Sequence, residues 1–166
     1  MSISKVLLPE LDAEIKTTRL TLERVPKKPD YVPHPKSMPM GKLAAHVAQL
    51  TEFGLTILTT PELDFANRKF APLQFESGEQ VAKELEKGAA QLRSALEKVP
   101  DSAWTEHWKL AFGGKPIFEG ERFLAYRAMF LNHLVHHRAQ LGVYLRLNDV
   151  AVPATYGPSA DDRMGF

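Results

Sequence analysis

Spacing sorts the six histidines of this chain into those that can act together and those that cannot. His133 and His137 stand four residues apart in a stretch with helical periodicity. On a helix their side chains leave one face with Cβ atoms about 5–6 Å apart, close enough to share a metal ion. A helical wheel puts Tyr126, Phe130, Leu141 and Tyr144 on that face, so both rings are expected to look inward. His46 shares its face with Leu43, Leu50, Phe53 and Ile57, an odd place for a polar ring without a buried partner. A lone histidine on an apolar face is more often a core side chain bonded to a carbonyl or a tyrosine. Three inward imidazoles on two helices are instead a candidate ligand set.

Three neutral imidazoles with no carboxylate or thiolate suit a divalent transition metal, Zn²⁺ or Ni²⁺ first, with Fe²⁺, Mn²⁺ and Cu²⁺ also accepted. Three protein ligands leave a position for water or substrate, the arrangement of catalytic rather than structural sites. Around this set, Glu52, Glu121 and Asn132 are candidates to orient an imidazole or act as a base. His136 sits about 60° to one side of the pair. Arg138 and Gln140 either form a polar rim or reach a neighbouring helix or the tail. His34 and His107 fall in irregular segments, and Trp104 and Trp108 read as loop anchors packed on the core. Gly113 and Gly114 do not follow a strand and open a helix, so they do not read as a phosphate-binding loop.

The elements that must position these residues are mostly helical. Apolar residues at three-four spacing predict helices over about Ser4 to Val25, Met40 to Leu58, and Ser77 to Leu96, and a last, proline-free one over about Glu121 to Leu147. Pro9 weakens the first of these, and Gly88 costs the third a little. Ser77 and Gln80 form a Ser-x-x-Gln start signal. Between the first two helices, Pro26 and the stretch KKPDYVPHPKSMP after it bring five prolines to positions 26 to 39, and the segment reads as a long ordered loop or lid. The segment from Asp101 to Gly120 suggests a capped turn and a small hairpin around its Gly-Gly pair. The tail after Asn148 is expected to be an extended strap packed through Val152 and Tyr156. The fold class predicted is all-α, a four-helix bundle with long loops, as one domain over residues 1–166.

Composition narrows the partners. Lys plus Arg number 21 against 20 Asp plus Glu, a net charge of +1 that offers no broad field for nucleic acid. With no cysteine, any thiol chemistry needs a thiol from outside. The N-terminus lacks a secretory pattern and no apolar run reaches membrane-spanning length, so the expectation is a cytoplasmic protein acting on a small molecule.

The stretch NHLVHHRAQLGVYLRLNDVAVPATYGPSADD closely resembles the C-terminal signature of the DinB-like family of small helical metalloproteins. HPKSMPMGKLAAHVAQL resembles that family's segment leading into and through its second helix. The resemblance implies an up-down-down-up bundle, often a homodimer. It also implies a metal held by one histidine of the second helix and the H-x-x-x-H pair of the last, here His46, His133 and His137. Ala139 stands where the family's HHRGQL run has glycine. Characterised relatives include S-transferases and isomerases that use bacillithiol, mycothiol or similar thiols, so a thiol-dependent transferase or isomerase with an external cosubstrate is implied. Metal-dependent hydrolysis and a non-enzymatic, damage-inducible metal-binding role are the alternatives.

Overall fold

The first helix, α1 (Ile3–Glu23), contains Pro9 and makes no side-chain capping bond with its own Ser2. Another segment supplies the cap: the Oδ1 of Asp101 accepts the Ile3 N–H and the Ser2 hydroxyl, both at 2.9 Å. The buried Trp104 ring extends this anchorage, its Nε1 donating to Ser4 Oγ, which in turn donates to Val99 O. A helix weakened by proline is thus held through contacts about a hundred residues distant in sequence. The computed structural model describes residues 2–67 and 71–163.

Helix α2 (Met40–Thr59) is the most deeply placed, burying Leu43, Ala44, Val47, Ala48, Leu50, Thr51 and Ile57. Helix α3 (Gly78–Leu96) begins as predicted, with Ser77 Oγ accepting the Gln80 N–H at 3.1 Å. The return reach of Gln80 goes to Glu76 N rather than to Ser77. Gly88 does more than weaken α3: a Cβ there would lie 2.1 Å from Thr51 Oγ1, so its small size lets α2 and α3 close on each other. Helix α4 is one continuous helical run of three parts, an α-turn Arg122–Ala125, a π-helical stretch Tyr126–Leu131 and an α-helix Asn132–Leu147. In its wide turn the Asn132 N–H donates five residues back, to Arg127 O.

Side-chain contacts fix the helix directions. Arg127 pairs with Glu10 and Arg138 with Glu14, so α1 and α4 advance together. Thr51 faces Gly88 while Leu92 and Phe130 face Gly54, so α3 runs with α2 and α4 runs against it. α1 and α2 each pack along both α3 and α4. Among the described residues, no helix is long and apolar enough to cross a membrane.

The all-α expectation needs correcting. A small three-stranded sheet joins the helices, with β1 (Glu62–Asp64) parallel to β2 (His107–Phe112) and β2 antiparallel to β3 (Lys115–Glu121). The hairpin was expected; β1, three residues with no room to show alternation, was not. Gly113 and Gly114 form the hairpin turn at φ of 59° and 78°, the left-handed conformations that suit glycine. Asp64 clamps it, its carboxylate accepting both glycine N–H groups at 2.8 Å. Hydrogen bonds from the backbone of Ala66 and then of these glycines hold that carboxyl below its ordinary range. Glu121 ends β3 instead of opening the last helix. The helix opens on Arg122, whose buried guanidinium binds Ile57 O, Thr60 O, Ala103 O and Glu106. One side chain thereby satisfies carbonyls at the end of α2 and in the turn before β2.

The prolyl loop lacks regular structure but is tied down. Tyr31 O accepts the Met40 N–H, Pro29 O accepts the Gly41 N–H, and the Tyr144 hydroxyl donates to Met38 O, each at 2.9 Å. The tail is a strap, yet Tyr156 does not bury its ring, which leaves the residue 68% exposed. Its hydroxyl does the docking, donating to Glu14 Oε1 at 2.7 Å and accepting from Arg138 Nη2 at 2.8 Å. Arg138 also binds Glu14 Oε2 at 2.6 Å and the hydroxyls of Thr17 and Thr18.

Removing one partner of a buried ion pair strands the other charge, at about 3–5 kcal/mol, whereas an apolar replacement of both is often neutral. Glu14→Ala is therefore expected to lower unfolding stability by about that amount, and Glu14→Leu with Arg138→Met to recover most of it. Urea unfolding of the parent, the single and the double variant checks this; equal midpoints for parent and Glu14→Ala would refute it.

Candidate metal centre

His46 leaves the part of α2 that faces α4, and His133 and His137 leave the first turns of α4 beyond its π-helical stretch. The three rings meet. His46 Nε2 lies 3.4 Å from His133 Nε2, and His137 Nε2 lies 2.8 Å from the same atom. The His46 and His137 ring centroids are 4.6 Å apart. One nitrogen from each ring lies within 4.8 Å of the others, a cluster that can hold a metal ion. Two Zn–N bonds of about 2.0–2.1 Å at a tetrahedral angle set their nitrogens about 3.3 Å apart, so the span between helices fits. The 2.8 Å separation within α4 corresponds to a narrower angle.

The far side of each α4 ring decides what Nε2 can do. His133 Nδ1 lies 3.3 Å from Met129 O, and a carbonyl can only accept, so the ring proton sits on Nδ1 and leaves a lone pair on Nε2. His137 Nδ1 lies 2.7 Å from Gln140 Oε1, with the same consequence. Lone pairs then point into the cluster with nothing positive between them, the donor chemistry a cation satisfies.

All three rings are half-buried, and their pKa values fall below the ordinary value. His46 is pushed down to about 4, by burial first and then by the neighbouring His137 and His133. Burial is also the main cause for His133 and His137, where the bonds to Met129 O and Gln140 Oε1 pull the other way. At neutral pH the rings are uncharged, as ligands must be.

The other candidates divide. Gln140 touches His137 directly. The exposed His136 ring lies 4.8 Å from the His137 ring at an interplanar angle of 68°. Asn132 is exposed on the same segment. Arg138 is no rim for the cluster; one residue on from His137 it has turned about 100° round the helix and is buried against α1 and the tail. Glu52 is exposed and lines a groove between α2 and α3 with Gln49, Glu84 and Gly88, and it is not in the ligand cluster. Glu121 belongs to β3. The reading from spacing missed the Met129 carbonyl, because no residue type announces a backbone acceptor or a π-turn.

A family model described as the DinB superfamily matches residues 10–141. The chain belongs to the DinB superfamily. The match spans all three histidines, and the fold agrees with solved DinB-like structures. A DinB-like protein from Bacillus cereus is similar with a TM-score of 0.67 at 21% identity, covering 90% of this chain and 95% of that one. A second DinB-like protein, YjoA from Bacillus subtilis, is similar with a TM-score of 0.66 at 18% identity, covering 95% and 99%. At such identities the likeness shows the DinB-like fold alone. No curated protein matches the chain.

The depressed histidines set a pH dependence for the metal-free protein. Because the folded state disfavours the charged His46 ring, the unfolded chain binds more protons between its ordinary value of about 6.5 and the folded value of about 4. The contribution is therefore complete above the upper limit and is lost as pH falls through that window. Urea midpoints of metal-free protein should fall across it, and more gently in His46→Gln. Parallel slopes for the two proteins would contradict this.

Proposed function

We propose that this DinB superfamily chain holds one divalent transition metal on His46, His133 and His137, and serves as a transferase or isomerase for small molecules with an external low-molecular-weight thiol. The observation that carries the reading is the convergence of three imidazoles, two with Nδ1 against an acceptor and Nε2 directed inward. Zn²⁺ and Ni²⁺ suit these donors best, and Fe²⁺, Mn²⁺ and Cu²⁺ are compatible. When bound, such an ion supplies Lewis acidity that lowers the pKa of a thiol or water reaching it.

The chain's own part is to present the donors. Met129 O and Gln140 Oε1 stand against the outer nitrogens of His133 and His137, so the inner nitrogens are the ones that face the cluster. Burial keeps the three rings neutral. The chain has no cysteine, so its thiol would come from a cosubstrate. Superfamily membership supports the further proposal of a homodimer.

Elemental analysis of untagged protein is expected to find near-stoichiometric metal in the parent and a large loss in His46→Ala and His137→Ala. The loaded parent should then turn over a thiol with an electrophile such as monochlorobimane. Equal metal in all three proteins rejects the site. Stoichiometric metal without thiol turnover rejects the transferase and leaves a metal-binding role.

A further inference from the structure

The two α4 histidines are oriented by acceptors of different kinds. His133 faces a backbone carbonyl, a permanent acceptor that no mutation of Met129 removes. His137 faces a side chain, exposed on the next turn of the same helix, whose amide oxygen is 2.7 Å from Nδ1. A neutral imidazole carries one proton, and the hydrogen bond at one nitrogen decides which nitrogen carries it. If His137 held its proton on Nε2, that N–H would donate across 2.8 Å to His133 Nε2, whose lone pair is available. The cluster would then close on itself as a histidine–histidine hydrogen bond, and one donor atom would be blocked.

We propose that Gln140 is a positioning residue that selects the Nδ1–H tautomer of His137 and so keeps Nε2 open as a donor. Among the described residues, nothing else in the hydrogen bonds of His137 makes that choice, because its other partner, His133 Nε2, favours the opposite tautomer. The spacing is what a helix provides: residues three apart are neighbours on its surface, so Gln140 reaches the outer nitrogen while His133, four residues the other way, meets the inner one. The affinity consequence rests on the metal-centre reading above; the tautomer itself does not.

The experiment compares the parent with Gln140→Ala and Gln140→Glu in two states. In metal-free protein above neutral pH, nitrogen-15 shifts of the imidazoles report the tautomer. The parent and Gln140→Glu should show His137 protonated on Nδ1, and Gln140→Ala should move the proton to Nε2. In Co²⁺ titrations followed by the visible spectrum, Gln140→Ala should bind about 10- to 100-fold more weakly, the usual effect of losing a partner to a ligand imidazole. Gln140→Glu, a stronger acceptor, should bind at least as tightly as the parent. Because Gln140 is exposed, the thermal midpoint of the metal-free protein should not move. An unchanged tautomer in Gln140→Ala overturns the proposal, as does unchanged Co²⁺ affinity in a parent that binds the ion. A parent that binds no Co²⁺ defeats the metal centre instead, and the tautomer comparison still decides the role of Gln140.

Discussion

Two imidazole nitrogens with their protons on the far side repel each other when held together, and this fold holds two of them 2.8 Å apart with a third close by. That juxtaposition requires α2 and α4 to be fixed in separation, rotation and axial position. The packing provides for each. Gly54 lies where a Cβ would meet the Phe130 ring at 2.9 Å, so the α2–α4 approach depends on a missing side chain. Arg122 ties the start of α4 to the last carbonyls of α2, which sets the axial position at one end. Tyr144 and the prolyl loop before α2 set it at the other. Polar groups that would disfavour folding alone are brought together by apolar burial on either side of them.

Much of this was legible from residue types, for identifiable reasons. A four-residue separation of two histidines is a statement about a helix face, and His46 stands out because Leu43, Leu50, Phe53 and Ile57 share its face. The Ser77 cap and the Gly-Gly hairpin are short-range signals, and both features are present. The Asp101 cap was visible as a residue but not as a destination, because its acceptor serves a helix 98 residues away. Strand β1 depends on pairing with β2 across a long separation, and three residues cannot advertise that. Arg138 illustrates the same limit: its neighbour is a ligand candidate, its own partners lie on α1 and the tail, and only tertiary packing separates the two.

The π-helical stretch belongs to the site as much as to the fold. It occupies Tyr126–Leu131 and ends two residues before His133, and the Met129 carbonyl that accepts from His133 Nδ1 lies inside it. A wide turn relaxes the regular i to i−4 ladder, and such turns gather where a helix must re-aim side chains. Within it, the fully buried Tyr126 and Phe130 pack with each other, and Tyr126 also packs against Trp104. Downstream the histidines face α2. One helix thus serves an aromatic core from its π-helical stretch and a polar cluster from the α-helical turns that follow.

Rotation of α4 about its own axis is the remaining freedom that would separate the three rings. With α-carbons about 2.3 Å from the axis and imidazoles reaching several ångströms further, a turn of some twenty degrees would shift a ring nitrogen by a few ångströms. That is enough to break a shared site whose members lie 2.8 and 3.4 Å apart. Arg138 opposes such a turn from another side of the helix, held by Glu14, Thr17, Thr18 and the Tyr156 hydroxyl at once. Tyr144 opposes it two turns from His137 through Met38. A buried ion pair contributes little net stability against an apolar replacement, but it has directions that apolar contacts lack. The double replacement of Glu14 and Arg138 can therefore keep the fold and yet loosen the histidines, which separates the energetic role of this network from its geometric one.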